Sequence, residues 1–284
     1  MVEGRFARGV RLTAESWSVV RQRPGLLVIP AVSALVWMAG SVLLLGPWAL
    51  DIVDHHSRQR LFVDAAIEAY PAAFASTYFN VAFYALAAAT IDGRPMTVAQ
   101  AFGRARARLW TIAWWALVAT LVGVALRALE QLPVGGWLRQ GVEWVAEAAW
   151  SLATFFVVPV LALEDTGVRS ALRRSASTIR RTWGESVTGA ITIGGVLGLI
   201  ALPILGVGAA GFVAGRSGYA AGYVLAGLCV VLGAAALVVE TAMGQVFRLA
   251  VYRYASGEGA TGPFAKADLE SAFKPRPRRR FLGF

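Results

Sequence analysis

Residues Gly25 to Leu50 include no charged side chain, and a helix through them at 1.5 Å per residue outruns the roughly 30 Å hydrocarbon core of a bilayer. That run excludes most soluble folds, because a domain in water has little to cover so long a surface that is apolar on every side. Comparable apolar stretches follow at about 69–91, 110–128, 142–163, 187–213 and 219–251. The chain has 284 residues, 57% of them hydrophobic and only 15% charged, and its mean hydropathy is +0.59. A membrane protein is therefore the expected class. Basic residues ahead of Gly25 have the outline of a secretory signal, but the apolar run is longer than an h-region and no convincing small-x-small cleavage site follows, so an uncleaved anchor is expected.

The net charge of +10 raises nucleic acid as a partner. The basic residues, however, are not gathered in a polar domain; they fall in the gaps between apolar runs, which favours lipid headgroups and excludes nucleic acid. If the N-terminus is cytoplasmic, 22 of the 27 Lys and Arg residues lie on the inner side of six spans. This asymmetry predicts a cell-membrane protein with both termini in the cytoplasm; five or seven spans would break the alternation. Span 2 is expected to start near Pro71, and Trp110, Trp114 and Trp115 are expected at an interface at the start of span 3.

The segment Glu164 to Glu185 has the clearest internal pattern. At 100° per residue Val168, Ala171, Leu172, Ala176, Ile179 and Trp183 share one face, and Arg169, Arg173, Arg174, Arg180 and Arg181 take the other. A helix of this kind lies along a charged surface. Residues 97–109, with Arg104, Arg106 and Arg108, and the first 24 residues repeat the pattern less cleanly. Arg169, Arg173, Arg174, Arg180, Arg181, Arg104 and Arg108 are the candidate headgroup-binding residues, for anionic lipid in particular.

Each pair of spans thus follows a basic amphipathic segment, and the exits at Asp92-Gly93, Glu164 to Gly167 and Gly257 resemble one another. The expected fold is all-α and polytopic: six transmembrane helices as three hairpins, each preceded by a cytoplasmic amphipathic helix. The units are about 6–91, 97–163 and 168–253 within a membrane domain of residues 1–255, followed by a basic tail at 256–284. Six-span proteins with basic amphipathic loops give the same pattern without an ancestral repeat.

Arg5-Phe6-Ala7-Arg8-Gly9 with Ser16-Trp17, the Asp92-Gly93 turn, Ala149-Trp150 through Pro159-Val160, and Thr182-Trp183-Gly184-Glu185 carry a resemblance. On these residues the chain resembles an uncharacterised family of six-span membrane proteins of bacteria and archaea, up to about residue 255. More distantly, the plan of surface helix and hairpin is similar to the membrane domain that accompanies some glycerophosphodiester phosphodiesterases. The resemblance implies the topology and no catalytic residues; the phosphodiesterase catalytic domain has no counterpart in the sequence.

Intramembrane chemistry centres on Glu240, since an acid among Ala, Leu and Val has to face protein, water or a cation. It reads either as a proton or cation relay or as an inward-facing acid hydrogen-bonded to a neighbouring span. Asn80 and Thr154 each stand 13 residues before a turn glycine, Gly93 and Gly167, and the same offset from Gly257 reaches Gly244, next to Gln245. Glu240, Asn80, Thr154 and Gln245 are the candidate intramembrane polar residues, as ties between helices or as a polar pathway. Glu143 and Glu147 lie one turn apart and fit solvated outer-headgroup positions better than a proton-sharing pair. Asp51, Asp54, His55 and His56 match no zinc spacing and read as a solvated loop. Gly194 with Gly198, Gly211 with Gly215, and Gly218 with Gly222 permit close backbone approach in the last hairpin and are a weak sign of a homodimer. The one cysteine, Cys229, precludes an intramolecular disulfide.

No phosphate loop, nucleophile elbow or zinc-protease helix is present. The sequence therefore predicts a non-enzymatic protein without a cofactor that organises anionic lipid, or a membrane-protein partner, at the cytoplasmic face. A small transporter or channel built around Glu240 is the alternative.

Overall fold

A computed structural model describes residues 5–51, 58–129, 136–183, 206–259 and 262–264. Among these the regular structure is entirely helical. The helices are α1 (Arg5–Gln22), α2 (Gly25–Asp51), α3 (Arg58–Ile91), α4 (Val98–Ala107), α5 (Leu109–Leu129), α6 (Gly136–Thr154), α7 (Val157–Leu163), α8 (Val168–Trp183), α9 (helical over 206–216) and α10 (Ala220–Ser256). Four stretches, Ala69–Ile91, Leu109–Leu129, Gln140–Leu163 and Ala220–Ser256, are long and apolar enough to cross a membrane, and α1 with α2 makes a fifth if the bent pair counts as one. Most of the expected span at 187–213 lies outside the described residues, as do Asp54, His55, His56 and the tail from 265.

Pro24 explains the first corner. It disfavours helix at Arg23 before it, so α1 stops and α2 restarts at Gly25, with 93° between the two axes. Leu12, Ser16, Val19 and Val20 of α1 are buried, and α1 packs against α10 and α3.

The centre of the bundle is the second half of α3. Val81 through Ala89 are all buried, the mark of a helix surrounded on every side, and α2, α4, α5, α7 and α10 all pack on α3. Five of those nine residues are alanines, which let neighbouring backbones come close, while Phe83, Tyr84 and Leu86 fill the gaps between them. The start of this helix differs from expectation. It begins at Arg58 and runs through Pro71, because the residues before Pro71 are mostly good helix formers and the proline removes only one ladder bond. A second difference concerns the tryptophans: Trp110 and Trp114 are exposed, but Trp115 is buried and stacks on Trp150 of α6 at 6.0 Å and 18°.

The expected fourth span is broken into α6 and α7. Pro159 stands in the first turn of α7, where its missing N–H costs nothing, but its ring crowds the carbonyl of Phe155 four residues earlier, and the break falls just before it, at Phe155 and Phe156. The freed N–H of Phe156 donates to Ser175 Oγ of α8 at 3.1 Å, in a fully buried position. At the other end of α7, Arg108 Nη1 donates to the carbonyl of Leu161 at 2.6 Å and also to that of Glu164. Both termini of this short helix are thus capped by side chains from other parts of the chain, as a buried backbone requires.

The expected close approach between α9 and α10 is present. The two helices run antiparallel, with Gly208 against Cys229, Gly211 against Gly222 and Gly215 against Tyr223. A methyl group on Gly222 would lie 2.4 Å from Gly215 N and 2.5 Å from the Gly211 carbonyl oxygen, both backbone atoms with no rotamer to yield. Gly222→Ala is therefore expected to lower stability by about 1–3 kcal/mol through overpacking. Gly227→Ala, where the same methyl group meets nothing within 4 Å, should be neutral or stabilising. Thermal unfolding of the detergent-solubilised protein measures both; an equal response from the two variants would contradict this packing.

Candidate functional site

On α10 the polar residues fall at Glu240, Thr241, Gln245 and Arg248, with Gly244 among them. Offsets of 0, 1, 4, 5 and 8 gather on one face of a helix. That face looks across a cavity of about 680 Å³ toward Ser33 and Trp37 of α2 and Ser76 and Asn80 of α3. Phe155, at the break between α6 and α7, also lines it.

Three polar side chains in the cavity are joined to one another, and the two charged ones stand apart from them. Gln245 Nε2 donates to Asn80 Oδ1 at 2.9 Å, and Asn80 Nδ2 donates to Ser76 Oγ at 3.4 Å. The Arg248 guanidinium lies 4.8 Å from the centroid of the Phe155 ring, a cation–π contact, and beside the buried Tyr84. Its Nε, and the Oε1 of Gln245, are buried without a hydrogen-bond partner among the described residues. Glu240 is half-buried and forms no hydrogen bond or ion pair with another described residue.

Of the four intramembrane polar residues singled out in the sequence, the fold brings Glu240, Asn80 and Gln245 to one cavity. Thr154 is elsewhere, its hydroxyl donating to the Trp150 carbonyl of its own helix at 2.8 Å. The sequence reading missed Arg248, which it counted only as one of the inner-side charges, and Ser33, Ser76 and Thr241. Arg248 had a signal: it stands two full offsets of four beyond Glu240, with Gly244 at the midpoint.

The expected headgroup arginines divide. Arg104, Arg169, Arg173, Arg180 and Arg181 are exposed. Arg174 is also exposed but pairs with Glu164 at 2.7 Å. Arg108 is turned inward on the carbonyls of α7, with Asp165 at 3.7 Å. The inward face of α8 is Ala171, Ser175 and Thr178, flanked by Val168, Leu172 and Ile179; Ala176, expected on that face, is exposed. Ser175 takes an inner position because it caps α7. Ser170, Arg173, Arg174, Ser177 and Arg181 line a recess of about 400 Å³ with Ser256 of α10.

Two polar clusters tie the first two exit turns to the end of α10. Asp92, after α3, accepts from Arg253 of α10 at 2.5 and 3.1 Å and from Arg94 at 2.7 Å. Arg253 is buried and also lies 3.6 Å from Glu258. Glu164, after α7, accepts from the Tyr252 hydroxyl as well as pairing with Arg174. Gly93 and Gly257 turn the chain at positive φ, 66° and 94°, where other residues are strained. Among the described residues no group of three or more His, Cys, Asp or Glu side chains is placed to hold a metal ion.

A family model described as a family of unknown function, DUF6159, matches residues 68–263. No curated protein and no solved structure matches the chain.

The hydrogen bond from Arg253, with help from Arg94, holds the Asp92 carboxyl below its ordinary 3.8. A carboxyl depressed in the folded state binds fewer protons there than in the unfolded chain, so its stabilisation is present above the ordinary value and is lost as pH falls through the folded one. Asp92→Asn should cost about 1.5–3 kcal/mol at neutral pH, the range for a hydrogen bond to a charged group. The difference from wild type should shrink below about pH 4. Thermal unfolding between pH 3 and 7 tests this, and a difference constant across that range would remove the pairing as its cause.

Proposed function

We propose for this chain, which belongs to the DUF6159 family of unknown function, a role as a non-enzymatic, multi-pass membrane protein. It binds a small polar or amphiphilic ligand in the cavity between α2, α3 and α10 and passes it between the bilayer interior and one face. The observation that carries this reading is the convergence of Glu240, Gln245, Arg248 and Asn80 on one cavity. Ionisable side chains in a spanning segment are expensive, and a pathway or ligand is the usual reason for them. In this reading α2, α3, α5, α6 with α7, the apolar sequence stretch at 187–213, and α10 are the six spans. They form three hairpins with α1, α4 and α8 as surface elbows, and both termini are cytoplasmic, since the basic residues concentrate on that side.

A second reading, organisation of anionic lipid at the cytoplasmic face, is favoured by the recess on α8, where exposed arginines and serines stand together. The two are compatible, because a lipid drawn to α8 lies close to α10, which contributes Ser256 to that recess.

Gly244 separates a ligand site from a packing defect. An added Cβ there meets no atom within 4 Å, so Gly244→Leu fills the cavity and removes the helix cost of glycine, about 1 kcal/mol. Native mass spectrometry of the purified wild type should show a bound small molecule that is absent from Gly244→Leu, while the variant unfolds at the same temperature or higher. Retention of the adduct in the variant, or its absence from wild type in several mild detergents, would sink the cavity reading. For the α8 reading, replacing Arg169, Arg173 and Arg181 with Gln removes about 1 kcal/mol per charge. The preference for phosphatidylglycerol over phosphatidylcholine should drop on the order of 100-fold. An unchanged preference in a lipid-exchange assay would end that reading.

A further inference from the structure

Glu240 and Arg248 stand on one face of α10, about 12 Å apart along the helix axis by rise, with Gly244 between them. No ion pair joins them, and neither is neutralised by another described side chain. Both line the same cavity, and a side chain at Gly244 would meet nothing within 4 Å, so open space lies between the two charges. In a low-dielectric site a ligand of one charge leaves the opposite protein charge uncompensated, which is the costly arrangement for buried ions. A ligand with both charges compensates both.

Resting on the reading of the cavity as a ligand site, we propose that its ligand is a zwitterion whose anionic group is held by Arg248 and whose ammonium group is held by Glu240. The anionic end is a phosphate or carboxylate. Arg248 is suited to it: its guanidinium offers several donors in a plane, its Nε is buried without an acceptor, and its position is fixed by the Phe155 ring. Gln245 and Asn80, already bonded to each other, form a neutral wall between the two ends. The rim carries exposed Trp37 and Leu237, apolar surface along which an acyl chain can leave the cavity. The same chemistry occurs in an amino-phospholipid headgroup and in a free amino-phosphate.

The test uses the full chain in detergent with Cys229→Ser and Ser33→Cys, so that a single thiol reports on the cavity through its maleimide labelling rate. The probes are phosphatidylethanolamine, O-phosphoethanolamine, phosphatidylglycerol, glycerol phosphate and ethanolamine. A zwitterionic probe is expected to protect the thiol at concentrations on the order of 10-fold lower than the anionic or cationic ones. Protection by phosphatidylethanolamine alone identifies a lipid ligand, and protection by O-phosphoethanolamine identifies a free solute; either supports the assignment. Glu240→Gln should transfer the preference to the anionic probes, and Arg248→Gln to ethanolamine, with unfolding temperatures confirming that both variants are folded. Anionic or cationic probes that protect as well as the zwitterions, or a ranking unchanged in Glu240→Gln, overturn the zwitterion assignment alone. A thiol that labels readily and is protected by none of the probes overturns it together with the ligand-site reading.

Discussion

A backbone N–H removed from water has to find an acceptor inside the protein, and the break between α6 and α7 is where that requirement organises the chain. Pro159 forces the break. Ser175 then supplies the acceptor for the freed N–H of Phe156, and Arg108 supplies donors for the carbonyls at the other end of α7. Those two side chains belong to α8 and to the end of α4, so the arginine-bearing helices are docked by the needs of a short helix between them. Docking has further effects. It sets Glu164 at the end of α7 against Tyr252 and Arg174, and the next residue of α10, Arg253, against Asp92 at the end of α3.

The opposite half of the same helices behaves differently. From Val81 to Ala89 α3 is buried without interruption, and Val246, Leu249 and Ala250 of α10 are buried as well. Next to these buried runs stand Asn80 and Gln245, and the hydrogen bond between them ties α3 to α10 in the wall of the cavity. Such a bond contributes little energy in a membrane, about 1 kcal/mol. Its value is positional: it fixes the register of α10 against α3, so Glu240 and Arg248, on the same face before and after Gln245, are presented to the cavity together.

The features legible in the sequence were those set by periodicity and composition. Long apolar runs gave the helices, and the polar offsets at Asn80 and Gln245 gave a contact between helices far apart in the chain. Periodicity could not separate an exposed arginine from one turned inward. Arg104 and Arg108 differ only in that Arg108 stands at the end of α4, within reach of the carbonyls of α7, and that depends on tertiary docking. Nor could it show that Trp115, on the same stretch as Trp110 and Trp114, would meet Trp150 in the core. Arg248 was hidden for a related reason. Charge counting treats all basic residues near a helix end alike, whereas its position relative to Glu240 and Gly244 is what places it in the cavity.

Stability alone does not account for the stripe on α10. Asn80 and Gln245 tie two helices, and alanine or leucine at 240, 244 and 248 would leave that tie in place. Glycine at 244 lowers helix stability by about 1 kcal/mol relative to alanine and packs against nothing within 4 Å of where a Cβ would be. Glu240 and Arg248 each carry a desolvation cost that no described partner charge offsets. Three positions on one face of one helix therefore oppose the fold, and they are spaced so that the open volume lies between the two charges. Packing defects have no reason to coincide with opposite charges in this way, whereas a site shaped for a ligand that carries both charges requires it.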